Sequence, residues 1–202
     1  FGSRWRALYL MNFFEPGSKN LITDIKGLFI GNSENELINT GSTILSCKDR
    51  FTASYRVLGG APGTRETDLL EPDKLVDKID ALVLSGGSAF GLEAASETVN
   101  LLRKDNKGYE VGNNKIPIVP GAIIFDLMNG GEKTWDKNPY IDLANRAYND
   151  LGSSFKLGSY GAGKGATAGN IKGGLGSASL IIDNKYTVGA LIVVNSFGSV
   201  VV

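Results

Sequence analysis

Apolar and small residues recur at helical spacing at Leu92, Ala95, Val99 and Leu102, with Ala94, Thr98 and Leu101 beside them. Three- and four-residue spacing of this kind predicts an amphipathic helix. A compact apolar run, Ala81 to Leu84, and the turn "SGGS" precede it, so the local order is strand, glycine turn, helix. Tyr140, Ala144, Ala147, Tyr148 and Leu151 repeat in the same way and predict a second helix over Tyr140–Leu151, with Gly152 where it would stop. Leu21–Ile30, Thr43–Cys47 and Phe51–Leu58 read as strands, the first two separated by the turn-rich "GNSENELINTGS". Pro72 is placed to open a short helix with Leu75, Val76 and Ile79 on its apolar face. "KDNKGYEVGNNK" reads as an exposed loop, and Leu180–Asp183 and Thr187–Asn195 as strands paired around "DNK". No internal repeat or dividing linker is visible. The expected fold class is mixed α/β (α+β), a layered sandwich of β-sheet and helices. Residues 1–20 read as an N-terminal extension, with Met11 as the native start, and residues 21–202 as one domain.

Composition narrows the chemistry. Lys+Arg 21 against Asp+Glu 21 leaves no net charge, hence no basic field for nucleic acid. With His 0, no Ser-His-Asp or Cys-His arrangement can form within the chain. Cys47 is the single cysteine, which excludes an internal disulfide and a Cys/His zinc cluster, and it reads as a buried structural thiol. No metal or other cofactor is implied. The longest uncharged run carries Gly, Asn and Ser and falls short of the ~20 apolar residues that span a bilayer, so a cytoplasmic protein with no membrane partner is expected. Any catalysis must use Lys, carboxylates, hydroxyls, amides or the backbone.

Several stretches are rich in glycine. "GSYGAGKG" has the phosphate-loop spacing at Gly158, Gly163 and Lys164, but Gly165 replaces the required hydroxyl, and no helix-forming sequence follows. A flexible linker would not lead straight into "LGSASLII". Two readings remain for residues 158–179: tight turns between strands, or backbone lining a cleft into which Lys172 projects. Gly86, Gly87 and Ser88 either offer free N–H groups to an anion at a helix start or merely turn the chain, with Ser88 as cap. Arg65, Glu66 and Asp68 read as solvated charges or a local ion pair. Asn195, ending "TVGALIVVN", is a turn former or a hydrogen-bond donor at a sheet edge.

Read in order, "GGAPGTRETDLL", "LSGGSAFGLEAA", "VPGAIIFDL", "GAGKGATAG", "KGGLGSAS" and "TVGALIVVN" resemble the P1-type peptidases. That family includes L-aminopeptidase/D-esterase enzymes, β-peptidyl aminopeptidases and nylon-oligomer hydrolases. The resemblance runs from about Thr23 onward and implies an N-terminal-nucleophile-hydrolase-like fold. It implies a precursor that cuts itself into α and β chains, the new N-terminal Ser or Thr of β being the nucleophile. An α-amine of pKa ~8 can then take the hydroxyl proton, so no histidine is needed. Carried over by position, Lys172 is a cation of the site, positioning the nucleophile or stabilising charge. Asn195 donates to the oxyanion, and Phe125 stands near a position where relatives carry tyrosine. Gly86, Gly87, Ser88 and Phe125 would contact substrate.

One departure concerns the cut. In the aminopeptidase branch an Asn-aromatic-Gly precedes the nucleophilic serine, whereas "NSFGS" has an extra residue that puts Ser199 out of register. The continuing "SVVV" suits the nylon-hydrolase-like branch. The chain is therefore expected to be an α subunit, partnered by a β chain from the same precursor and assembled into a higher oligomer of αβ units. Its expected substrates are small peptides, amides or ω-amino-acid oligomers. An acyltransferase of related architecture, or a non-catalytic binding protein retaining the fold, are the alternatives.

Overall fold

A computed structural model describes residues 14–198. In chain order it contains β1 (Phe14–Pro16), β2 (Leu28–Asn35), β3 (Thr40–Phe51), β4 (Thr64–Arg65) and β5 (Ile79–Ser85). Helix α1 (Glu93–Lys104) follows, then β6 (Tyr109–Val111), β7 (Asn114–Ile116) and β8 (Gly121–Ile123). Helix α2 (Tyr140–Asn149), β9 (Thr167–Ala168), β10 (Ile171–Lys172), β11 (Leu175–Ile182) and β12 (Tyr186–Val193) complete it.

The larger sheet has the order β2-β3-β5-β8-β4, antiparallel except for the parallel pair β5 and β8 that α1 connects. Side chains alternate across a strand, so its two faces are read by different residues. Ile44, Ala81 and Val83 face the helices and meet Ala94, Ala95, Leu102, Leu143, Ala144 and Ala147. Ile30 and Leu45 face the other way and meet Ile22, Leu82 and Leu191. Leu191 belongs to the second sheet, order β1-β11-β12. The layers are therefore helices, five-stranded sheet, three-stranded sheet, the layered sandwich of mixed α/β class that the pattern predicts.

Both predicted helices form, and β11 and β12 pair antiparallel around Asp183–Lys185, with β11 starting earlier than predicted. Three local expectations fail. "GNSENELINTGS" is mostly the facing halves of β2 and β3, joined by a short turn. Its buried members include Thr40 and Ser42, which are polar because their hydroxyls bond to Asp126 and Ser85 rather than packing on apolar side chains. Only Phe51 of "FTASYRVL" is strand. No helix follows Pro72: Leu75 is exposed and Ile79 opens β5, where burial on both faces of a central strand outweighs the three-residue spacing.

"KDNKGYEVGNNK" forms the exposed hairpin β6–β7. The end of the presumed N-terminal extension is joined to the fold: Phe14–Pro16 pairs with β11, and Asn20 Oδ1 accepts from the Ser179 N–H at 3.0 Å. Met11 and Ser199 lie outside the described residues. Cys47 is half-buried, its thiol pushed up by burial. Among the described residues, no helix is long and apolar enough to cross a membrane.

Candidate active site

β5 ends at Ser85, and the chain reverses through Gly86, Gly87 and Ser88 into a short 3-10 turn that leads to α1. Gly87 has φ 83°, and any Cβ there would overlap the Tyr140 ring, so the turn requires glycine at this position. The expectation of free N–H groups is not met. Gly86 N–H donates to the Gly41 carbonyl at 2.9 Å, Ser88 N–H to the Ile124 carbonyl at 3.0 Å, and Gly87 N–H to Asp126 Oδ1 at 2.7 Å. All three donors are used inside the fold because the turn is buttressed by the segment after β8. An anion would have to compete with those acceptors.

Asp126 was absent from the sequence-derived candidates. It is fully buried. Besides Gly87, it accepts from Thr40 Oγ1 at 2.5 Å, and that hydroxyl lies 3.0 Å from the Tyr140 hydroxyl. Burial pushes the Asp126 carboxyl up, against the pull of its hydrogen bonds. Burial, and next the charge of Asp126, push the Tyr140 phenol up. The Lys133 ammonium, held down by its own burial, donates to the carbonyls of Ile38 and Asn39. An aspartate inside the apolar run "PGAIIFDLM" was the available signal.

The structure brings Phe125 and Asn195 together. Phe125 N–H donates to Asn195 Oδ1 at 3.0 Å. A backbone N–H can only donate, so the amide oxygen faces Phe125 and Nδ2 points away, with no acceptor among the described residues. The Phe125 ring is 49% exposed.

Lys172 is nearby in topology. Ala168 pairs with Ile171 in the β9–β10 hairpin and bridges to Ser196 on its other side, so the residues neighbouring Lys172 and Asn195 flank one short strand. Lys172 Nζ donates to the carbonyls of Gly163, Ala166 and Gly173 at 3.1, 3.3 and 3.0 Å. An ammonium has three N–H donors, and here each has an acceptor. Burial, then the nearby Lys164, hold its pKa down. These contacts tie Lys172 to the glycine-rich loop. Gly161, Ala162, Gly163 and Ala166 are buried, so that loop is packed backbone.

Two cavities lie away from these residues. One of about 190 Å³ sits between the irregular segment around Tyr55 and Leu82, Leu84 and Ala122, and one of about 440 Å³ lies on the outer face of α1. Neither contains Lys172, Asn195 or Phe125. Arg65 and Glu66 form the expected local ion pair at 3.9 Å.

The fold matches solved structures over nearly all of the chain. A β-aminopeptidase from a Burkholderia species superposes with TM-score 0.73 at 20% identity, covering 93% of this chain and 55% of that one. L-aminopeptidase D-Ala-esterase/amidase from Ochrobactrum anthropi, described as a new variant of the Ntn hydrolase fold, gives TM-score 0.70 at 19% identity, covering 92% and 55%. The architecture is thus that of the N-terminal-nucleophile hydrolases.

Residues 20–201 match peptidase family S58, and the chain belongs to that family. An uncharacterized aminopeptidase of Mycobacterium bovis is 40% identical over 190 residues, which is 90% of this chain and 54% of that protein. One from Mycobacterium leprae is 39% identical over 195 residues, with the same coverage of 90% and 54%. The chain spans about half the length of the curated relatives it matches.

Proposed function

We propose that this chain is the α part of a self-processing N-terminal-nucleophile amidohydrolase, its Ser or Thr nucleophile carried by a β chain from the same precursor. The substrates are small peptides, amides or ω-amino-acid oligomers, and the reaction is amide hydrolysis with an aminopeptidase-like preference for a free amino end. The observation that carries the reading is the orientation of Asn195. Its oxygen is tied to the Phe125 N–H at 3.0 Å, which leaves Nδ2 as a fixed donor for a developing oxyanion.

In this reaction the nucleophile's own α-amine accepts the hydroxyl proton, and the hydroxyl oxygen attacks the amide carbonyl. Asn195 Nδ2 stabilises the tetrahedral oxyanion, and the α-ammonium returns its proton to the leaving nitrogen as the C–N bond breaks and the amine departs. Water then releases the acyl group by the same steps. Lys172 contributes charge and loop geometry rather than proton transfer, in keeping with its three carbonyl acceptors. The half-exposed Phe125 ring supplies an apolar wall for substrate. Gly86, Gly87 and Ser88 shape the site from behind, since their amides are engaged. A chain without histidine is consistent with such chemistry, because the base resides on the nucleophilic residue itself.

Intact mass under denaturing conditions, with N-terminal sequencing of the full-length gene product, tests the reading. Two chains, the second beginning at Ser or Thr, are expected. A single uncut chain that nevertheless hydrolyses amides would overturn it.

A further inference from the structure

An amide side chain works as an oxyanion donor in only one of its two flipped orientations. Asn195 has no intrinsic preference between them; the location of the Phe125 N–H decides. That N–H lies beyond the end of β8, in a segment without regular secondary structure, so something else must hold it still.

Three hydrogen bonds tie residues 124–126 to the end of β5 and the turn that follows it, residues 85–88. Ile124 N–H donates to the Ser85 carbonyl at 2.9 Å, and Ser88 N–H to the Ile124 carbonyl at 3.0 Å. The third is the Asp126 carboxylate, which takes the Gly87 N–H on one oxygen and Thr40 Oγ1 of β3 on the other. Asp126 is fully buried, and Lys133 donates to backbone carbonyls rather than to it. Burying a carboxylate without a bonded cation is costly, and an apolar residue would fill a core position more cheaply. Both of its oxygens are instead spent on the elements that frame Phe125.

We infer that Asp126 is a positioning residue of the oxyanion site: it clamps residues 124–126 between the Gly87 turn and Thr40, and the clamped Phe125 N–H orients Asn195. The Asp126 carboxylate is engaged by Thr40 and Gly87, so it acts through them rather than on the reacting atoms. The inference rests on the oxyanion reading of Asn195, and its test separates the two.

The full-length, self-processed enzyme is assayed on an amino-acid p-nitroanilide, with kcat expressed per processed β chain. Asn195→Ala is expected to lower kcat ~100- to 1000-fold, the usual loss for one oxyanion donor. Asp126→Ala is expected to lower kcat ~10- to 100-fold with KM changed less than ~3-fold, because the lost interaction belongs to the transition state. Combining the two should leave kcat within ~3-fold of Asn195→Ala alone, since both act through one hydrogen bond. Asp126→Asn should recover most of the loss, its oxygen still accepting from Gly87 and its NH₂ donating to Thr40.

Where Asp126→Ala fails to fold or to self-process, Thr40→Val carries the test, with a loss of ~3- to 10-fold that again does not multiply with Asn195→Ala. Wild-type kcat per processed site in Asp126→Ala or Thr40→Val overturns the inference, as do losses that multiply with that of Asn195→Ala. Wild-type kcat in Asn195→Ala overturns the oxyanion reading, and the inference falls with it.

Discussion

Asp126 shows how a single buried carboxylate leaves a mark on stability that is independent of catalysis. Its carboxyl is pushed above the ordinary value chiefly by burial, so the folded state holds that proton more tightly than the unfolded chain. A group of this sign gives its full stabilisation below the unfolded pKa of ~3.9 and loses it as pH rises through the folded value. Urea unfolding midpoints measured from mildly acidic to neutral pH should therefore fall in the wild type relative to Asp126→Asn. A constant difference between the two proteins across that range would show that Asp126 does not titrate as its surroundings dictate. The order of the glycine-rich blocks singles out Asn195, Phe125 and Lys172 as candidates, but not Asp126, although it directly follows Phe125. Its environment is assembled from distant positions: a Cβ at either Gly86 or Gly165 would overlap its carboxylate. No local pattern announces that convergence. Tyr140 was read correctly as a buried helix position, yet its hydroxyl's contact with Thr40 depends on which strand faces α2.

Among the elements, the attachment of residues 17–24 to β11 depends on another aspartate with the opposite sign. Asp24 accepts from Ser179 Oγ at 2.6 Å, Ser18 Oγ at 3.1 Å, and the N–H groups of Lys19 and Leu21 at 3.1 and 3.3 Å. The Ser179 hydroxyl foremost, with these other donors, lowers its pKa to about 2. Stability from such a group is present above the unfolded pKa of ~3.9 and is lost as pH falls through the folded one. The advantage of wild type over Asp24→Asn should accordingly shrink between pH ~4 and ~2, followed by urea midpoint. An advantage unchanged across that window would mean that the carboxylate is not what anchors the segment. The helices were legible because their apolar faces bury in a regular stripe against the sheet. The β2–β3 hairpin was not, because its buried face satisfies hydrogen bonds: Ser42 Oγ lies 2.8 Å from Ser85 Oγ, and Thr43 Oγ1 both donates to Asn32 and accepts from Ala162 N–H. A strand with a polar interior face resembles a turn when read by composition alone.

For the molecule as a whole, the three layers leave one face without cover among the described residues. Along β12, Gly189, Leu191 and Val193 turn inward, while Tyr186, Val188 and Ile192 point outward at 56, 54 and 56% exposure, and Val194 just beyond the strand is 42% exposed. β12 is also an outer strand of its sheet among the described residues, so an apolar face and a free edge coincide. Contiguous apolar surface of this kind marks an interface, and an open strand edge invites pairing with another chain. The β chain of the proposed precursor is the occupant assigned to this face: the chain spans 54% of its mycobacterial relative's length, and a β part of that size would need a surface of this kind. If β covers this face, the 202-residue chain expressed alone should bind a hydrophobic dye and self-associate as concentration rises, as read by light scattering. In the full-length product the outward side of β12 should be silent to the dye, and its amides should exchange slowly. Replacing Val188 and Ile192 by lysine should reduce self-association of the lone chain and block formation of the complete enzyme. A lone chain that stays monomeric and dye-negative, or a complete enzyme that tolerates both lysines, would mean that the other half docks elsewhere.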